Sequence, residues 1–143
     1  LKNKIDPLLE WAVWAHLDSK TDLELILIKG HLLLEMILDL VLTRNNIKDC
    51  EDYSFHRKIV IFEKKEFEDC KKKDFIVSSL MGINKLRNKL AHDFHFEIKN
   101  GEFELWSINI LKSLGGTKHT KFTLRTKIVH GFSIISKNIL ECT

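Results

Sequence analysis

Residues 21–43 constrain the chain most. Thr21-x-x-Glu24 has the form of a capping box, and the stretch that follows reads LELILIKGHLLLEMILDLVLT. Apolar side chains cover most of the circumference that a helix here would present. Such a helix has too little polar surface to lie on the outside of a domain, so it belongs at the centre with other elements packed around it. Its polar exceptions line up. At 100° per residue, Glu24, His31, Glu35 and Asp39 fall within an arc of about 80°. Residues 23–42 also have the length of a membrane span, but Lys29, His31, Glu35 and Asp39 interrupt them. A charge near the middle of a span costs about 2.5 to 3.5 kcal/mol on insertion scales. A core helix is therefore expected, with no membrane partner.

The remaining elements are also mostly helical in pattern. Asp6-Pro7 opens a first helix to about Leu17, with Asp as N-cap and Pro at the first helical position. Asn45-Asn46 closes the central helix. Ser54 has the character of an N-cap, and Phe55, Ile59, Phe62 and Phe67 repeat at helical spacing to about residue 68. The lysines at 71–73 form a loop, and Asp74 caps a further helix whose apolar face runs from Phe75 to Leu90. Then FHFEIKNGEFELW, residues 94–106, alternates. Asn100-Gly101 has the form of a two-residue hairpin turn, which sets Phe96 opposite Leu105 and Ile98 opposite Phe103. Residues 107–121 fit no pattern, with Gly115-Gly116 as a break. A last helix from Phe122 carries Leu124, Ile128, Phe132, Ile135 and Ile139. The expected fold is all-α: an up-down helical bundle with a small β-hairpin insertion at about 94–106. All 143 residues form one domain, a length and composition that support a core without staples.

Chemistry concentrates in NKLRNKLAH, residues 84–92. Asn84, Asn88 and His92 stand at i, i+4 and i+8 on one side of a helix. Arg87 and His92 are about 140° apart around the axis, flanking a strip that includes Ala91, whose small side chain leaves room. An arginine is long enough to lean across that strip. Histidine can give or take a proton near neutral pH. Arginine stays charged and matches phosphate oxygens with a planar fork, and an amide such as Asn88 can orient either group. RNA supplies its own nucleophile, the 2′-hydroxyl, so a proton carrier, a phosphate clamp and in-line geometry suffice to cleave it without a metal. From spacing alone the better fit is a helix C-terminus with His92 against the dipole and Arg87 in a surface ion pair.

LRNKLAH resembles the R-x4–6-H signature of the HEPN superfamily, with the polar Asn88 directly after Arg87. The order of GHLLLE at 30–35, SFHRKI at 54–59 and then the Arg/His helix is similar to that of bacterial HEPN-like families, including mannitol-operon-regulator-like proteins. The likeness spans roughly residues 22–93 and, by position, the last helix. It implies a small helical homodimer in which two Arg/His motifs meet in one cleft. It also implies a metal-independent endoribonuclease of toxin or defence type that leaves 2′,3′-cyclic phosphate, with a cognate antitoxin or regulatory protein as a possible partner. Other members of the superfamily are non-catalytic regulators or interaction modules, and that is the alternative. The expected catalytic residues are Arg87, Asn88 and His92, supported by Asn84 and by His31 and Glu35 of the central helix. No cofactor is expected. The hairpin after the motif departs from the minimal pattern and would either line or block the cleft.

His92-x-x-His95 offers two metal ligands, but nothing suggests a third, so no metal site is expected. Cys50, Cys70 and Cys142 are odd in number and widely spaced, which reads as reduced thiols and a cytoplasmic setting with no secretory leader. A formal charge of +3 is a mildly basic balance that suits an anionic partner such as RNA.

Overall fold

The structure is a computed structural model that describes residues 13–14, 22–93 and 101–143. It contains α1 (Leu23–Arg44), α2 (Phe55–Lys64), α3 (Lys73–His92), α4 (Glu102–Ser113), a 3₁₀ turn (Thr117–Lys121) and α5 (Leu124–Leu140). Thr21 and most of the expected first helix lie outside the described residues. Of that helix Val13 and Trp14 are described; both are helical, and Val13 is buried.

Local chemistry explains most of the element ends. Asp22 caps α1, its carboxylate accepting the Glu24 N–H at 2.8 Å. Asn45 closes α1 and Asn46 takes a positive φ of 67°. Ser54 caps α2 through the Arg57 N–H, as its sequence position suggested. Three expected boundaries are corrected; the last helix starts at Leu124 behind a Thr123 cap rather than at Phe122. α2 stops at Lys64 rather than 68, and Phe67 packs on Phe62 from the following loop, ring centroids 5.2 Å apart. α3 begins one residue before Asp74, after Lys72 in the left-handed region, so Asp74 lies in the first turn and is not the cap.

The hairpin is also corrected. Residues 94–100, its first strand, lie outside the described residues, and the second strand is helix α4. Among the described residues there is no strand. The alternation over 101–106 was too short a window. Phe103, Trp106, Ser107, Ile110 and Leu111 are all buried, which is the i, i+3, i+4, i+7, i+8 stripe of an amphipathic helix. Leu105, on the other side, is 59% exposed. Gly101 does adopt a positive φ, 87°, which glycine allows at no steric cost, but it leads into a helix. At the far end Gly115, φ 97°, makes the break before the 3₁₀ turn.

α5 packs against both α1 and α4, and α2 and α3 pair beside them. At the crossing of α1 and α5 a Cβ on Gly30 would lie 2.4 to 2.7 Å from three atoms of the Phe132 ring. Phe132 in turn stacks against Trp106 (4.8 Å) and Phe103 (6.0 Å), so α1, α4 and α5 share one aromatic centre. α1 is not enclosed all round. Leu25, Ile28, Leu32, Met36 and Leu40 are 38 to 64% exposed, and they form a continuous stripe about four turns long. The thiol expectation is overturned as well: Cys70 and Cys142 form a disulfide across 72 positions, while Cys50 is free and buried. The sequence hid this pairing because the last turn returns to the loop before α3, where the backbone of Thr143 bonds to Glu68 and Asp69.

Two outcomes follow from this packing. Gly30→Ala should lower unfolding free energy by about 1–3 kcal/mol, the usual cost of overpacking a core, as read from urea denaturation; unchanged stability would mean that the Phe132 ring does not fill that space. Thiol titration in denaturant should find one reactive cysteine without reductant and three with it, and Cys142→Ser should lose about 2–4 kcal/mol.

Candidate functional site

α3 distributes its polar residues in order around its axis. At 100° per residue the sequence runs from Arg87 through Asn84, Asn88 and His92 to Lys85 and Lys89. The middle group lines an open groove of about 510 Å³ together with Lys85 and Lys89, and His56 from α2 faces it. Asn88 and His92 are exposed, and Asn84 is half-buried. The structure thus brings Asn84, Asn88 and His92 to one wall, as their spacing predicts.

Arg87 is placed differently from the simplest expectation. It is half-buried and not part of the groove wall. Its guanidinium Nη1 donates to Asn88 Oδ1 at 3.3 Å, so it leans over the strip but stops at the amide. Its charge also reaches His31 of α1, which sets Arg87 on the α1 side of the groove.

His31 lies beneath the site. It is buried, its Nε2 donates to Asn84 Oδ1 at 3.0 Å, and its ring packs on Phe55 with centroids 4.4 Å apart. One imidazole therefore touches both helices that form the groove, and with Oδ1 engaged the Nδ2 amide is the group that Asn84 keeps for a ligand. His31 and Glu35 stand at i and i+4 on α1, yet they take different partners. Glu35 accepts from Lys58 at 3.1 Å, and Asp39 takes the same ammonium at 3.0 Å. Lys58 is only 2% exposed. Burial pulls its pKa down, but hydrogen bonds to Asp39 and Glu35 outweigh this and hold it above the ordinary lysine value. Glu35 is thus a core ion-pair residue one helix turn from the site.

Sequence reasoning missed His56, Lys85 and Lys89. The two lysines stand at i+1 from each asparagine, so their place beside the strip was legible from helical spacing. His56 had no such signal, because it belongs to a different helix and meets the groove only through the packing of α2 on α3. Lys89 is paired with Glu102 at 3.1 Å, both groups exposed, and Lys85 has no ion pair or hydrogen bond among the described residues. The lining presents cationic, imidazole and amide groups that can meet a phosphodiester, along with Met81 and the exposed carboxylate of Asp93 at the end of α3. No helix among the described residues is long and apolar enough to cross a membrane.

No protein-family model, no curated protein and no solved structure matches the chain.

Burial pushes the His31 pKa below its ordinary 6.5, and the Arg87 charge adds to this; the Asn84 bond and Glu35 oppose it without overcoming it. The unfolded chain then binds more protons than the folded one between the lowered value and 6.5, so stability is complete above that pH and falls as pH drops below it. Burial, then Lys118, lowers His119 in the same direction. Denaturation midpoints measured from pH 7.5 down to 5 should decline, and His31→Gln should flatten part of the decline. A slope identical in His31→Gln and wild type would show that the ring is not neutral in the fold.

Proposed function

We propose that the chain is a HEPN-like endoribonuclease that cuts RNA by attack of the ribose 2′-oxygen on the adjacent phosphorus. The observation that carries this reading is the wall of Asn84, Asn88 and His92, faced by His56 and edged by Lys85. The step needs one group to take the 2′-hydroxyl proton and one to protonate the 5′-oxygen as its bond to phosphorus breaks. The groove offers two imidazoles, His92 and His56, on its two sides. Asn84 and Asn88 donate to the non-bridging oxygens, and Arg87, held by Asn88, adds charge where the phosphorane becomes more negative. The products are a 2′,3′-cyclic phosphate and a 5′-hydroxyl.

The active unit in this reading is a homodimer. The exposed stripe of Leu25, Ile28, Leu32, Met36 and Leu40 runs about four turns along α1, and contiguous apolar surface of this kind suits an interaction face. It borders the His31–Glu35–Asp39 arc of α1, so a second copy seated there lies on the Arg87 side of α3. That arrangement suits an arginine that stands beside its own groove. The same placement of Arg87 favours the second reading, a dimeric regulator or interaction module without catalysis.

Purified protein should cleave mixed RNA in EDTA, spare DNA, which lacks the hydroxyl, and leave cyclic phosphate ends. His92→Ala and Arg87→Ala should each slow cleavage by about 10²–10⁴ with the fold intact by circular dichroism. RNA left uncut at high protein concentration hands the site to the regulator reading; equal cutting by His92→Ala shows that the proton carrier is elsewhere. Light scattering should give twice 16.8 kDa for wild type and the monomer mass for Leu32→Glu.

A further inference from the structure

A second groove runs along the other side of the lysines. From α3 it takes Gly82, Lys85, Leu86 and Lys89, which stand at i, i+3, i+4 and i+7. From α4 it takes Glu102, Leu105, Trp106 and Asn109, at the same spacing. It is therefore the seam between two facing helix stripes, about 270 Å³ in volume. Lys85 and Lys89 also line the first groove. They form a basic crest with a cavity on each side.

Both cavities are largely apolar in lining, and they differ in the polar groups at their rims. The first is edged by amides and imidazoles. The second has an apolar floor: Gly82, where no Cβ intrudes and the Trp106 ring lies 3.5 Å from where one would be, together with Leu86 and the exposed Leu105. The Trp106 indole N–H is taken by Ser79 O at 2.9 Å, so that side chain offers the groove only its apolar surface. Polar groups stand at the rim, where the exposed Asn109 amide can both donate and accept. Glu102 is occupied with Lys89, which leaves Lys85 as the crest cation free to meet a ligand.

We propose that this groove is a subsite for the base of a nucleotide flanking the scissile phosphate, with the strand crossing the crest at Lys85. The assignment rests on the nucleic-acid reading given above for its ligand. A flat, apolar heterocycle with polar edges fits an apolar slot with an amide at its rim, and a phosphate on the crest meets an unpaired ammonium. A single strand joins the two requirements, because base and phosphate alternate along it. Apolar contact with a base is non-directional, so the subsite strengthens binding of longer strands, and base preference comes from Asn109.

The test uses the full chain and a fluorescent deoxyoctanucleotide, which carries bases and phosphates but no 2′-hydroxyl and so stays uncut. Wild type should bind it. Leu105→Asn should weaken binding about tenfold, the order expected when a leucine's apolar contact is replaced by an amide, and Asn109→Ala should weaken it less. Lys85→Gln should reduce the slope of log affinity on log salt by about 0.7, the value for one single-strand phosphate, whereas Lys137→Gln, outside both grooves, should leave it unchanged. An abasic octamer should bind wild type and Leu105→Asn alike. The proposal is overturned if wild type does not bind the octamer, if Leu105→Asn and Asn109→Ala bind like wild type, or if Leu105→Asn weakens the abasic strand equally. If binding behaves as stated but RNA is not cut, the nuclease reading fails and the subsite stands.

Discussion

Two successive residues of α1 set where its neighbours lie. Gly30 lets the Phe132 ring come so close that any side chain would collide with it, and this draws α5 and, through Trp106, α4 onto the central helix. His31, 100° further round, reaches instead to Asn84 of α3 and Phe55 of α2. A small residue and a polar one thus hold the helices at a single turn. The groove above His31 exists because the two helices that form it are registered on the same buried imidazole. A neutral ring there satisfies Asn84 without placing a charge among apolar side chains.

Charge is arranged to the same end. Lys58 would be an expensive buried cation on its own, and two carboxylates would repel each other on one helix face. Together they satisfy each other at the α1–α2 contact. On the basic crest of α3, Lys89 is paired with Glu102. The far end of the bundle is closed by other means: Arg44 donates to Leu140 O at 2.8 Å, and the Cys70–Cys142 disulfide ties the last turn to the loop before α3. That bond also removes the ground on which cysteine spacing pointed to a reducing compartment.

Helical periodicity and capping chemistry by themselves determined much of this protein. Asn45 and Ser54 stand where helix ends were expected, and Asn84, Asn88 and His92 share a wall because i, i+4 and i+8 are on one side of any α-helix. These are local facts, carried by a few bonds of backbone geometry. Tertiary structure alone decided the rest. A run that alternates over six residues fits a strand or one face of a helix, and only the packing of Phe103 and Trp106 against Phe132 chose helix for α4. His31 and Glu35 stand at i and i+4 on one helix, yet the approach of α3 brings the ring to Asn84. Cys70 and Cys142 are distant in the chain, so their bond depends on where the last helix ends in space. His56 entered the groove, and Arg87 stayed beside it, for the same reason: which side chains from separate helices meet is a property of how the helices cross, and no spacing within one helix contains it.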